Sequence, residues 1–151
     1  MRPKYETNET LAHEKRCLKL LERELGGQVI KVPISYRVDA VQEKGGRIRA
    51  WIEFKGRKMS LNAYPSVMLS VLKYDRGMQL AWSTEAKFIF AVDFEEGLYY
   101  ARLDHLKPDK FFIKMGGRTV QTRDSADIEP VIFIPIKFFD KVEVEETDDG
   151  N

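Results

Sequence analysis

The stretch YRVDAVQEKGGRIRAWIEFKGRK, from Tyr36 to Lys58, decides how this chain is read. Ile48, Ala50, Ile52 and Phe54 alternate with Arg49, Trp51, Glu53 and Lys55, the period of a strand with two unlike faces. Lys44-Gly45-Gly46 suits a three-residue hairpin loop with a glycine in the left-handed region. Such a loop sets Asp39 opposite Trp51 and Arg37 opposite Glu53. Asp39 then lies diagonal to Glu53, on a face shared with Lys55. A slip of one residue would send Asp39 to the other face.

Two carboxylates at diagonal distance repel each other unless a cation lies between them. Carboxylate oxygens and water are the donors that Mg²⁺ and Mn²⁺ prefer, and such an ion can activate a water and neutralise phosphate charge. The other reading of the same residues is a solvated strand face with an ion pair. The arrangement resembles the PD-(D/E)XK nuclease superfamily, in which an Asp on one strand precedes Glu-x-Lys on the next. Asp39, Glu53 and Lys55 match the three positions, although Val38 stands where the motif's proline would be. A second Glu-x-Lys, Glu85-Ala86-Lys87, falls at an expected helix-to-strand junction with no Asp-bearing strand before it.

Outward from the hairpin, the order is helix, strand, hairpin, helix, strand, strand. Asn8 caps an expected helix over Glu9–Leu25, stopped by Gly26-Gly27. Gln28–Val32 reads as a strand. Pro65 opens a second helix expected to run to Trp82, with Gly77 weakening it midway. Lys87–Phe94 is an apolar run suited to a central strand, and Leu98–Leu103 returns beside it. Lys110–Met115 is a further candidate strand before a polar stretch expected to be a loop. Val131–Phe139 reads as a late strand, which Pro135 places at an edge or bulge. An exposed apolar edge there would favour a homodimer. These elements predict an α/β fold with a mixed central sheet flanked by helices, which is also the restriction-endonuclease-like αβββαβ core of the superfamily.

The resemblance implies a Mg²⁺- or Mn²⁺-dependent DNA endonuclease. Asp39, Glu53 and the backbone carbonyl of Phe54 would hold the metal, and Lys55 would orient the attacking water. Glu14, an acid on the apolar stripe of the first helix, would support the metal or its water. Lys73 or Gln79, on the second helix, would point back at the site, and the sequence does not choose between them. Arg47, Arg49, Arg57 and Lys58 make the hairpin basic enough to track a DNA backbone; Arg118 and Arg123 lie in the polar loop. Small stand-alone members of the superfamily cut structured DNA, as junction resolvases and phage repair nucleases do. The alternatives are a nuclease-fold DNA-binding protein without catalysis and a protein-interaction domain.

The 151 residues suit one domain over 1–139, followed by an acidic tail over 140–151 that is expected to be disordered. Asp140–Asn151 carries a net −5, which leaves +6 for the body within the total of +1. No apolar run reaches membrane length and no signal-peptide pattern opens the chain, so a cytoplasmic protein is expected, in a host cytoplasm if phage-encoded. No nucleotide-cofactor fingerprint is present. One cysteine, Cys17, and two histidines, His13 and His105, show no recognisable zinc spacing. Asp93 is a further acid in the sheet, without a Glu-x-Lys on the next strand.

Overall fold

The computed structural model describes residues 8–56, 59–107, 112–117 and 128–144. Arg57, Lys58, Arg118 and Arg123 lie outside the described residues. Helix α1 (Asn8–Leu25) leads into β1 (Gln28–Lys31), β2 (Ala40–Lys44) and β3 (Arg47–Gly56). A short strand β4 (Ser66–Ser70) precedes helix α2 (Val71–Thr84). Then come β5 (Lys87–Phe94), β6 (Gly97–Arg102), β7 (Phe112–Gly117), β8 (Ile128–Pro135) and β9 (Asp140–Lys141).

Six strands form a mixed sheet in the order β1-β2-β3-β5-β6-β9. β3 and β5 run parallel, joined through α2, and the other neighbours are antiparallel. β5 is central: Phe88, Phe90 and Val92 bury themselves on one face, Ile89 and Ala91 on the other. The first face packs with Trp51, Ala81 of α2, and the apolar residues of a second sheet. The other face, with Ala40, Ala50 and Ile52, takes Cys17, Leu18 and Leu21 of α1. Each large side chain buried in these layers contributes roughly 1.5–3 kcal/mol. The expected disordered tail does not begin at Asp140, because residues 140–142 pack onto the fold. β9 pairs with Tyr99 and Tyr100 of β6, and Val142 is buried.

Three further expectations are corrected. The hairpin turns on two residues, with Lys44 facing Arg47, and a bulge between Gln42 and Glu43 shifts the register again. Trp51 therefore faces Val41, not Asp39, and the ladder ends at Ala40 and Ile52.

The second helix begins at Val71, because Ser66–Ser70 is extended, with Val67 and Leu69 buried on alternate positions. That short stretch becomes a strand through its partner β8, far along the chain, a tertiary pairing that outweighs the pull of Pro65. Gly77 is not a weak point in α2 but a fitting piece. A Cβ there would lie 2.2 Å from the Phe88 ring, so only glycine lets the helix seat on β5.

The third correction concerns β8. It sits between β4 and β7 in a three-stranded sheet, so its apolar run is covered on both sides. Pro135 marks its end, followed by a 3-10 turn over Ile136–Phe138. β7 is instead an edge of that sheet, and its Ile113 and Met115 are exposed.

Candidate active site at the end of strand β3

β2 runs out two residues before β3 reaches Phe54. Ile52 C=O points toward β2 and accepts the Asp39 N–H at 2.9 Å. Phe54, two positions on, aims its own N–H and C=O to the same side. No β2 backbone remains to meet that N–H, and the Asp39 carboxylate takes it, Oδ2 at 2.7 Å. The chain holds Asp39 from the other direction through its C=O, which accepts Val32 N–H at 3.1 Å. Asp39 is thus bonded to the very peptide that joins Glu53 to Phe54.

Glu53 lies between Ile52 and Phe54, which face α1, so its side chain turns to the α2 face beside Trp51. It is 3% exposed. A buried carboxylate needs a counter-charge, and Lys73 of α2 supplies it, Nζ to Oε2 at 2.9 Å. Lys55, on the same face of β3, donates to Met68 C=O of β4 at 2.9 Å. The second sheet thereby aims the lysine head. Asp39, Glu53 and Lys55 thus stand along the stretch where β3 leaves the ladder, with Lys73 bonded to Glu53.

The other sequence candidates go elsewhere. Glu14, 9% exposed, pairs with Lys31 of β1 at 3.1 Å, on the α1 side of the sheet. Gln79 bonds Asp75 on the exposed flank of α2, so geometry separates it from Lys73. Arg47 and Arg49 stand at the hairpin end of β3, six residues before Glu53 in the case of Arg47, or roughly 20 Å away. With Lys44, Lys87 and Arg102 they line a basic cleft of about 320 Å³.

Sequence reasoning missed a second cluster. His13 Nε2 meets Asp93 Oδ2 at 2.5 Å, and Cys17 Sγ lies 3.7 Å from the same nitrogen. The i,i+4 spacing of His13 and Cys17 was the available signal; the third member lies 80 positions on.

Does the β3 site suit a divalent ion? Its donors are carboxylate oxygens and a backbone carbonyl, the hard set that Mg²⁺ and Mn²⁺ take. Among the described residues, Asp39 gives the Phe54 amide one oxygen and keeps Oδ1 outside that bond. The donor types fit such an ion, which Asp39, Glu53 and the Phe54 carbonyl would hold.

The strand order and the acids at the end of β3 define a nuclease domain of the PD-(D/E)XK type. The sequence model of the family described as "Phage putative PDDEXK endonuclease" matches residues 1–142, and the chain belongs to that family. Among solved structures the chain is similar to Hjc of Archaeoglobus fulgidus, a Holliday junction resolvase from an archaeal hyperthermophile. The likeness has a TM-score of 0.54 at 17% identity, over 84% of this chain and 95% of that one. At that identity it is a likeness of fold. No curated protein matches the chain.

Proposed function

We propose that this chain is a Mg²⁺- or Mn²⁺-dependent deoxyribonuclease that hydrolyses phosphodiester bonds, with branched DNA as its preferred substrate. The observation that carries the proposal is the binding of Asp39 to the Glu53–Phe54 peptide, which ties the first acid to the strand segment that bears Glu53 and Lys55. A bound ion would supply charge neutralisation and a more acidic water. Asp39, Glu53 and the Phe54 carbonyl would hold it. Lys73 fixes the direction of the buried Glu53 carboxylate through their 2.9 Å pair. Lys55 orients the attacking water or meets the phosphate. An ammonium carries three N–H donors, enough to keep the Met68 bond and hold another oxygen. Glu14 is a supporting acid only if the Lys31 pair opens.

Family membership supports the nuclease reading, and the Hjc-like fold supports the choice of branched DNA. The basic cleft at the hairpin end would grip phosphates about six base pairs from the cut, at ~3.4 Å per pair. A homodimer suits a substrate with paired strands to cut, and β7, with exposed Ile113 and Met115, is the edge available for pairing. No helix among the described residues is long and apolar enough to cross a membrane; the proposed enzyme would work in the cytoplasm, a host's if phage-encoded.

The test is incubation of the purified chain with plasmid and four-way-junction DNA under Mg²⁺ or Mn²⁺. Nicking or resolution is expected, dependent on the ion and lost in Lys55→Ala. Failure to cut any DNA form with either ion would overturn the enzyme and favour a binding protein of the same fold.

A further inference from the structure

We infer that His13, Cys17 and Asp93 form a second metal site, for a zinc-class divalent ion, that clasps α1 to β5. The inference does not rest on the nuclease reading. The ligand atoms of the three side chains all lie within 4.8 Å of one another. They come from two elements that meet face to face: one flank of α1 and the end of β5.

The donor set is one imidazole nitrogen, one sulfur and one carboxylate oxygen. That is a borderline set, which suits Zn²⁺ better than Mg²⁺ or Mn²⁺. Around a tetrahedral zinc with Zn–S of about 2.3 Å and Zn–N of about 2.0 Å, sulfur and nitrogen stand roughly 3.5 Å apart. Cys17 Sγ and His13 Nε2 stand at 3.7 Å. The His13–Asp93 separation of 2.5 Å must widen to roughly 3.3 Å for the same geometry, a side-chain adjustment. Burial is graded suitably. Cys17 is 3% exposed at the inner end, whereas the His13 and Asp93 side chains are 38% and 20% exposed. An ion can enter, and water can take the fourth position.

The proton balance is explicit. Arg16 donates to His13 Nδ1 at 2.6 Å, so the neutral ring carries its proton on Nε2 and gives it to Asp93. Binding at Nε2 moves that proton to Nδ1, and Arg16 turns away from the ring. The Cys17 thiol loses its proton to solvent, so one proton leaves per ion bound. The clasp has a structural consequence. Asp93 faces Gly56 across the β3–β5 ladder, so the ion fixes the strand end that follows Lys55.

The test is titration of the full chain with Co²⁺, followed by absorption. One thiolate-bound ion per chain is expected, with a thiolate-to-cobalt charge-transfer band in the near ultraviolet and four-coordinate visible bands, displaced by Zn²⁺. Cys17→Ser should abolish the charge-transfer band and weaken binding by more than about tenfold. His13→Gln, at a more exposed ligand, should weaken it likewise and serves if Cys17→Ser does not fold. Glu53→Gln should leave the spectrum unchanged, which keeps this result separate from that of DNA cleavage. A folded wild-type chain without a thiolate band, or a band that survives His13→Gln at full affinity, would overturn the site.

Discussion

The two faces of the six-stranded sheet carry polar clusters at the same end, and they hold their acids by different means. On the α2 face a long lysine reaches across to a carboxylate that is almost wholly buried. On the α1 face short side chains, His13 and Cys17, meet Asp93 directly. The lining of each face differs as well. Trp51, Phe88, Phe90 and Phe94 line the α2 side, where Gly77 lets the helix seat against Phe88. Ala40, Ala50 and Ala91 line the α1 side beneath Cys17, Leu18 and Leu21. The same end of the sheet thus carries the proposed oxygen-donor site on one face and the inferred N, S, O site on the other.

The largest expected effect breaks that comparison at the α2 face. Glu53→Gln should lower DNA cleavage by on the order of 10³-fold while the chain stays folded, because the amide still accepts from Lys73. Steady-state nicking assays with circular dichroism check both halves. The seat of α2 comes next. Gly77→Ala gains about 1 kcal/mol of helix propensity but drives a methyl into the Phe88 ring. A net loss of about 2 kcal/mol is expected in urea unfolding.

Lys73→Ala should cost about 1–2 kcal/mol by stranding the Glu53 carboxylate. Most of that cost should vanish in the Glu53→Gln background, a double-mutant cycle that isolates the pair. A smaller effect concerns Glu96, whose carboxyl is held below its ordinary value of 4.5, chiefly by the Ser60 hydroxyl and then by the Leu61 amide. A lowered folded value adds stability that is present above the unfolded value and lost as pH falls through the folded one. Glu96→Gln should therefore lower stability above about pH 4.5, where that contribution is present, and flatten the acid limb below it. Gln79→Ala, on the exposed flank of α2, should shift stability by less than about 0.5 kcal/mol.

Much of this was legible in the sequence. The alternation from Ile48 to Lys55 gave the long strand, the glycine pair gave the turn, and α1 ends where Gly26 and Gly27 take positive φ. The register was not legible, because a bulge beside Gln42 leaves no mark in residue type. Nor was the means by which Asp39 approaches Glu53. It acts through the Phe54 amide at a frayed strand end, and strand periodicity does not describe such a contact. Ser66–Ser70 carries too few residues to declare itself a strand without β8. The choice of Lys73 over Gln79 depended on how α2 is rotated, which Gly77 and Phe88 set together.

Manganese binding at the end of β3 tests the central claim most directly. Mn²⁺ titrated into the purified chain, followed by loss of the free-ion paramagnetic resonance signal, should show an ion whose binding is lost in both Asp39→Asn and Glu53→Gln. Binding that is unchanged in those two folded variants would contradict the account.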